Sequence, residues 1–301
     1  MKTISRIFAI IILITSCTSG EKLKNSNDKP FSFILVADTR NYTGDNEDYF
    51  RGACEAIKEI DTFRFIISPG DIDPPDSVLY TIHKYIGKDI IWYPVVGNHE
   101  TETASNMEWI RNYNKGGNTL PYIVNEGPES CNETTYSFDY MNTHFVILNE
   151  YCTDSCDDCT KGDIPEVLIN WLQNDLKKTK MSNILVFGHE PAYPLPDVES
   201  QRFRHSHDCL NQHPDNRDRF VKLLQDNNVV AYIVGHTHDY SIAKINNLWH
   251  VDVGHARGTA DKGARSTFVK INVNGDNIDY ETYRLNFKTG KYELSDTGSL
   301  D

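Results

Sequence analysis

The sequence predicts an α/β protein built on a mostly parallel sheet with helical crossovers. Two observations carry that reading. Apolar runs of strand length alternate with amphipathic helical stretches from Phe31 onward. Five of those runs end in ligand-type residues: Asp38, Gly70-Asp71, Gly97-Asn98-His99-Glu100, Gly188-His189 and Gly235-His236-Thr237-His238. The 39% hydrophobic and 24% charged content is ordinary for a globular domain.

In chain order, residues 31–37 form the first strand, ending at Asp38-Thr39-Arg40. A helix follows, with Phe50, Ala53, Cys54 and Ile57 on one face. A strand over 63–67 leads to Asp71, and a short helix over 78–86 leads to the apolar run that opens into Gly97-Asn98. This strand–helix–strand–helix–strand order requires crossovers between parallel neighbours. After a helix near 107–113, residues 136–140 and 143–148 read as an antiparallel hairpin turned by Met141-Asn142. A helix starts near Pro165, with Asp163 and Glu166 as a capping box, and buries Leu168, Trp171, Leu172 and Leu176. A strand over 184–187 ends at His189, a polar insertion spans 193–215, and a helix carries Phe220, Leu223 and Leu224. The strand over 229–234 delivers His236 and His238, and three further strands fall near 248–253, 267–273 and 278–285. The expected organisation is a signal peptide over 1–16, a tether over 17–30, one domain over 31–290 and a frayed polar tail over 291–301.

Lys2 and Arg6 precede an apolar segment too short to span a bilayer, which ends in Ile14-Thr15-Ser16-Cys17. This resembles the lipobox of bacterial lipoproteins. It implies cleavage before Cys17, lipidation of that residue, and an extracytoplasmic cell-envelope location with membrane contact only through the lipid. Loss of residues 1–16 would change the net charge from −13 to −15. So acidic a chain is a poor nucleic-acid binder and repels phosphate esters unless bound cations reverse the sign locally. A monomer with no nucleic-acid partner is expected.

Outside the cytoplasm, disulfides are the default for the other six cysteines. Cys152, Cys156 and Cys159 sit in an Asp-rich loop that lacks an obvious fourth soft ligand and the alternation of a Ca²⁺ loop. The expected state is a disulfide-stapled loop, with the pairing left open. Cys54, on an apolar helix face, reads as a buried thiol.

Asp, Asn and His at five strand ends suit a two-metal hydrolytic centre, in which a hard oxygen ligand bridges cations about 3.5–4 Å apart. Asp71 is the candidate bridge. Asp38, Asn98, His189, His236 and His238 are the candidate terminal ligands. With those residues quoted, the order resembles the calcineurin-like metallophosphoesterases over roughly residues 31 to 290. The resemblance implies a four-layer α/β/β/α sandwich of two mixed sheets and phosphate-ester hydrolysis with two divalent ions, Mn, Fe or Zn. It implies in-line attack by a metal-bridging hydroxide, with His99 as general acid. It implies that Asn98, His189 and His236 hold one ion, that Asp38 and His238 hold the other, and that Asp71 is shared.

Two departures stand out. Arg40 occupies the position of a usual His ligand, and a guanidinium cannot ligate a metal. Arg40 is therefore expected either to clamp phosphate or to face an acid such as Glu100, and the second ion to have lost a ligand. That loss leaves an alternative: a mono-metal or inactive phosphate-binding module. The acid usual three residues after Asp71 is also missing, with Asp73 and Asp76 nearby. Arg204, His205 and Arg257 are candidate substrate contacts, because their loops follow or separate the His motifs. His83, His144 and His250 read as structural.

Overall fold

The computed structural model describes residues 29–40, 48–60, 62–152 and 161–301. The expected signal peptide, Cys17, Cys156 and Cys159 lie outside the described residues. Among the described residues no helix is long and apolar enough to cross a membrane.

The first strand, β1 (Phe31–Leu35), is apolar on both faces because both are covered. Phe31, Phe33 and Leu35 point into a core between two sheets, while Ile34 points to the helical side. β2 (Phe65–Ser68) and β3 (Ile91–Pro94) extend β1 in parallel. β11 (Thr267–Asn274), β12 (Asn277–Asn286) and β13 (Lys291–Ser299) extend it antiparallel on the other side. The second sheet centres on β6 (Thr143–Ile147), β7 (Asn183–Phe187), β8 (Ala231–Val234) and β10 (Leu248–Val253), all parallel. Its antiparallel edges are β4 (Ile123–Glu126) with β5 (Tyr136–Tyr140), and β9 (Tyr240–Ile245).

The inner faces of the six- and seven-stranded sheets meet in an aromatic core. There Phe138 stacks on Phe145 at 4.6 Å and Phe33 on Phe65 at 5.2 Å between centroids. Helices α1 (Phe50–Lys58), α2 (Pro75–Tyr85) and α4 (Ala104–Tyr113) cover the first sheet, with the one-turn α3 (Asn98–Thr101) between the last two. Helices α5 (Glu166–Lys178) and α6 (Pro214–Asp226) cover the second. This is the expected four-layer sandwich. Phe50, Ala53, Cys54 and Ile57 are all buried, with Cys54 a free thiol.

Several expectations need correction. Residues 291–301, expected as a frayed tail, include β13, which pairs with β12, and Leu300 is buried with its amide on Ile278 O at 2.7 Å. Its polar side chains gave no strand signal, because an edge strand is held by its backbone ladder and gains from polar residues that deter further pairing. β4 and β9 were also unforeseen. The β9–β10 connection, Asn246-Asn247, has φ of 49° and 67°, a hairpin turn that asparagines favour. The capping box at α5 does not form: Pro165 is the cap, and Asp163 instead accepts from its neighbour Ile164 N at 2.7 Å and from Asn216. Trp171 is only partly buried, with its indole N–H on Glu126 O. The cysteine pairing left open includes a Cys131–Cys152 disulfide, whereas Cys209, expected to be paired, is a buried free thiol.

Candidate metal centre

The parallel strands of both sheets end at one edge, and the ligand-type residues follow them there. Asp38, Asp71, His236 and His238 all have left-handed backbone, with φ of 50°, 53°, 71° and 60°. Non-glycine residues adopt that region at a cost, so four such residues at one edge mark a place where side-chain direction overrides backbone comfort. Glycines permit the close approach. A Cβ at Gly97 would strike Asp71, and one at Gly235 would strike the Asp38 carboxylate. Glu100 ties the turns together: its buried carboxylate accepts from Gly97 N at 2.6 Å, Asp71 N at 3.0 Å and Ile72 N at 2.8 Å. Thr237 turns inward onto Asp252 at 2.6 Å, so His236 and His238 diverge.

One half of the edge gathers four ligand atoms. His189 Nδ1 donates to Pro69 O at 2.8 Å, which leaves Nε2 as a bare lone pair. That Nε2 faces Asp71 Oδ1 at 3.3 Å and His236 Nδ1 at 3.3 Å. His236 Nε2 donates to Asp208 O at 3.1 Å, so its Nδ1 is bare too, and it faces Asn98 Oδ1 at 3.2 Å. Burial pulls both imidazoles down to about 3, so both are neutral at physiological pH. Two imidazole lone pairs, an amide oxygen and a carboxylate oxygen thus meet. Apart from the His99 N–H that Asp71 Oδ1 accepts at 3.2 Å, these atoms offer lone pairs only, a donor set that suits a cation such as Mn, Fe or Zn.

The other half is different. His238 Nε2 lies 3.4 Å from Asp38 Oδ1, and Asp38, Asp71 and His238 present ligand atoms within 4.8 Å of one another. Asp38 Oδ1 is buried with no hydrogen-bond partner among the described residues, while Oδ2 accepts from His236 N at 2.9 Å. Burial, followed by the charge of Asp71, holds the Asp38 carboxyl well above the usual range. The side chain that the resemblance would make a ligand here is Arg40. Arg40 turns to Asp73, with Nε 3.0 Å from Oδ1 and Nη2 3.2 Å from Oδ2, and not to Glu100. Its Nη1 donates to His99 Nε2 at 2.6 Å, and His99 Nδ1 then donates to Glu102 at 3.0 Å.

The insertion before α6 packs over the edge. His205 lies 4.5 Å from the His236 ring between centroids, and Arg204 reaches His238. Arg257 follows β10 on the same side, and its charge acts on Asp38. Two further groups were not foreseen. Asp261 accepts from Arg202 at 2.6 Å and stands 3.0 Å from His238 Nδ1. Glu150, past the end of β6, accepts from His189 N at 2.9 Å, Glu190 N at 2.7 Å and the Tyr232 hydroxyl. Glu150 had a legible signal, an acid three residues past the end of a parallel strand; Asp261 had none. Of the histidines read as structural, His144 is buried between Asp139 and Asp175 and His250 is buried beside Tyr193, while His83 is half-buried on α2.

The model of the family described as calcineurin-like phosphoesterase matches residues 31–240. The chain belongs to that family, whose members generally bind divalent metals and act on phosphoesters. No curated protein matches the chain. Among solved structures, the fold is similar to GAP50, the anchor in the inner membrane complex of Plasmodium, with a TM-score of 0.55 and 16% identity over 90% of this chain and 89% of that one. It is similar to the purple acid phosphatase PPD1 of yellow lupin seeds, with a TM-score of 0.59 and 14% identity over 90% of this chain and 54% of that one. It is also similar to PhoD, with a TM-score of 0.58 and 12% identity over 90% and 70%. The chain therefore spans about half the length of the lupin enzyme. At these identities the likeness is one of fold.

Proposed function

We propose that this protein is a metal-dependent phosphoesterase acting on small phosphate esters, with a monoester as the preferred substrate. The observation that carries the reading is the meeting of the acceptor atoms Asp71 Oδ1, Asn98 Oδ1, His189 Nε2 and His236 Nδ1 at 3.2–3.3 Å. Those residues would hold one ion, and Asp38, His238 and shared Asp71 a second. Ions held there would supply the positive charge that an acidic chain needs to attract phosphate and would lower the pKa of a water that attacks phosphorus.

The chain's own groups then do the following. Arg40, fixed by Asp73, presents the guanidinium that phosphate oxygens favour. When those oxygens take up its Nη1, the His99 Nε2 lone pair is released to take a proton from solvent and pass it to the leaving oxygen, with Nδ1 oriented by Glu102. The insertion narrows the approach with Arg204 and His205, which suits small substrates over polymers. The lipobox-like N-terminus supports a lipid-anchored location on the bacterial cell envelope for a monomeric enzyme acting on small phosphorylated solutes.

A second reading, a phosphate-binding module without turnover, is favoured by Arg40 at a ligand position. One comparison separates the two: hydrolysis of a model phosphomonoester and a model phosphodiester, with Mn, Fe or Zn added. Metal-stimulated turnover, faster on the monoester, is expected. A folded, metal-supplied protein that turns over neither substrate belongs to the second reading.

A further inference from the structure

Arg204 and Asp261 compete for a single atom, His238 Nδ1. Arg204 Nη1 lies 2.6 Å from it and Asp261 Oδ2 lies 3.0 Å from it. A guanidinium has only donors, so its contact with Nδ1 requires a lone pair there. The imidazole proton then sits on Nε2, the atom 3.4 Å from Asp38 Oδ1. A protonated Nε2 cannot ligate a metal. The other tautomer, with Nδ1–H donating to Asp261, bares Nε2 but is incompatible with Arg204 at its present distance. The same ring thus has one arrangement that closes the second metal position and one that opens it.

The surrounding structure makes Arg204 the movable member. The loop backbone is pinned: Arg204 N donates to Asp239 at 3.0 Å, and Arg202 binds Asp239 at 2.5 Å, Asp261 at 2.6 Å and His238 O at 3.0 Å. Arg284, fully buried, holds Asp197 at the start of the same loop at 2.6 Å. By contrast the Arg204 side chain is 37% exposed. Its remaining contacts are Asp261 at 3.1 Å, a carboxylate already shared with Arg202, and His205 Nε2 at 3.1 Å.

We propose that Arg204 is a latch on His238 that keeps the second metal position closed until an anion draws it away. A phosphate group offers several charged acceptor oxygens, and a guanidinium prefers these to a neutral imidazole nitrogen. As Arg204 moves to the phosphate, His238 gives up the Nε2 proton to solvent and takes one on Nδ1, with no net change. Nδ1–H then donates to Asp261, and Nε2 is free beside Asp38. The second ion and the phosphate therefore favour each other, as reciprocal coupling requires. The inference rests on the proposed metal-dependent reading of this site.

The test is calorimetric titration of the full chain with Zn²⁺, with and without inorganic phosphate, for wild type and Arg204→Met. The wild type should take one ion tightly and a second weakly. The variant should tighten the second by about tenfold, the scale of one lost hydrogen bond to a charged group. Phosphate should tighten the second ion in wild type and lose most of that effect in the variant. Equal second-ion affinity in both proteins, or an equal phosphate effect in both, overturns the latch while leaving the first ion in place. Failure of both folded proteins to bind any ion overturns the metal-dependent reading as well. Melting curves establish folding, and the phosphate arm on wild type does not depend on the variant.

Discussion

His236 and His238 stand two residues apart on one loop, and their rings have opposite partners behind them. Behind His236 is the Asp208 carbonyl at 3.1 Å, which takes a proton and leaves the far nitrogen bare. Behind His238 are the Arg204 guanidinium at 2.6 Å and the Asp261 carboxylate at 3.0 Å, and in the proposed latch Arg204 gives the hydrogen bond and the proton stays on the far nitrogen. His144 is a third case, with Asp139 at 2.6 Å and Asp175 at 2.8 Å, so both its nitrogens carry protons. The ring is the same in all three, and the atom behind it decides whether it is a ligand, a closed position or a cation. A list of metal-ligand residues is therefore incomplete without their backing groups.

That comparison is easiest to break at the first half of the edge. His189→Ala removes one of the four convergent ligand atoms, and activity should fall to background with loss of the tight ion. His238→Ala should leave the tight ion in place. Metal analysis after dialysis checks both, and similar losses in the two variants would erase the distinction. Next in size is His99→Ala, expected to lower kcat by about 10²–10⁴-fold with the metal content unchanged. Steady-state kinetics on a monoester with a good and a poor leaving group sharpens this, since a lost proton donor harms the poor leaving group more.

Arg284→Met should act through stability and the latch together. It strands Asp197, whose carboxyl is paired inside the protein, and breaking a buried pair costs about 3–5 kcal/mol. Denaturant melts measure that loss. Because Asp197 anchors the loop bearing Arg204, any shift in metal affinity should fall on the second ion. The smallest effect belongs to His144. Burial opposes its protonation, but the hydrogen bonds and charges of Asp139 and Asp175 outweigh burial and raise it from 6.5 to about 9. A raised value stabilises the fold fully below pH 6.5, and the contribution is lost as pH rises through about 9. The loss should be about 3 kcal/mol, read as a declining denaturation midpoint between those values and absent in His144→Asn.

The five loaded strand ends were legible because each is local: an apolar run, a turn, and a ligand-type side chain. The hairpin at Met141-Asn142 and the buried face of α1 were legible for the same reason, periodicity within one element. What decides the chemistry was not. Pro69 O lies 120 residues from His189, and a carbonyl carries no residue-type signature. The Arg40 substitution was visible, but its partner Asp73 was one of several nearby acids. Arg204 was legible as a cation near the His motifs, though not that it would sit on one of them. β13 was missed because an edge strand can be polar, and the α5 cap because Asp163 found Asn216 instead.

The central claim is best tested by anomalous diffraction from crystals grown with limiting Zn²⁺. The first ion should lie about 2.0–2.1 Å from His189 Nε2 and His236 Nδ1, beside Asn98 and Asp71. An ion found first at Asp38 and His238, or bound through His236 Nε2, would contradict the account.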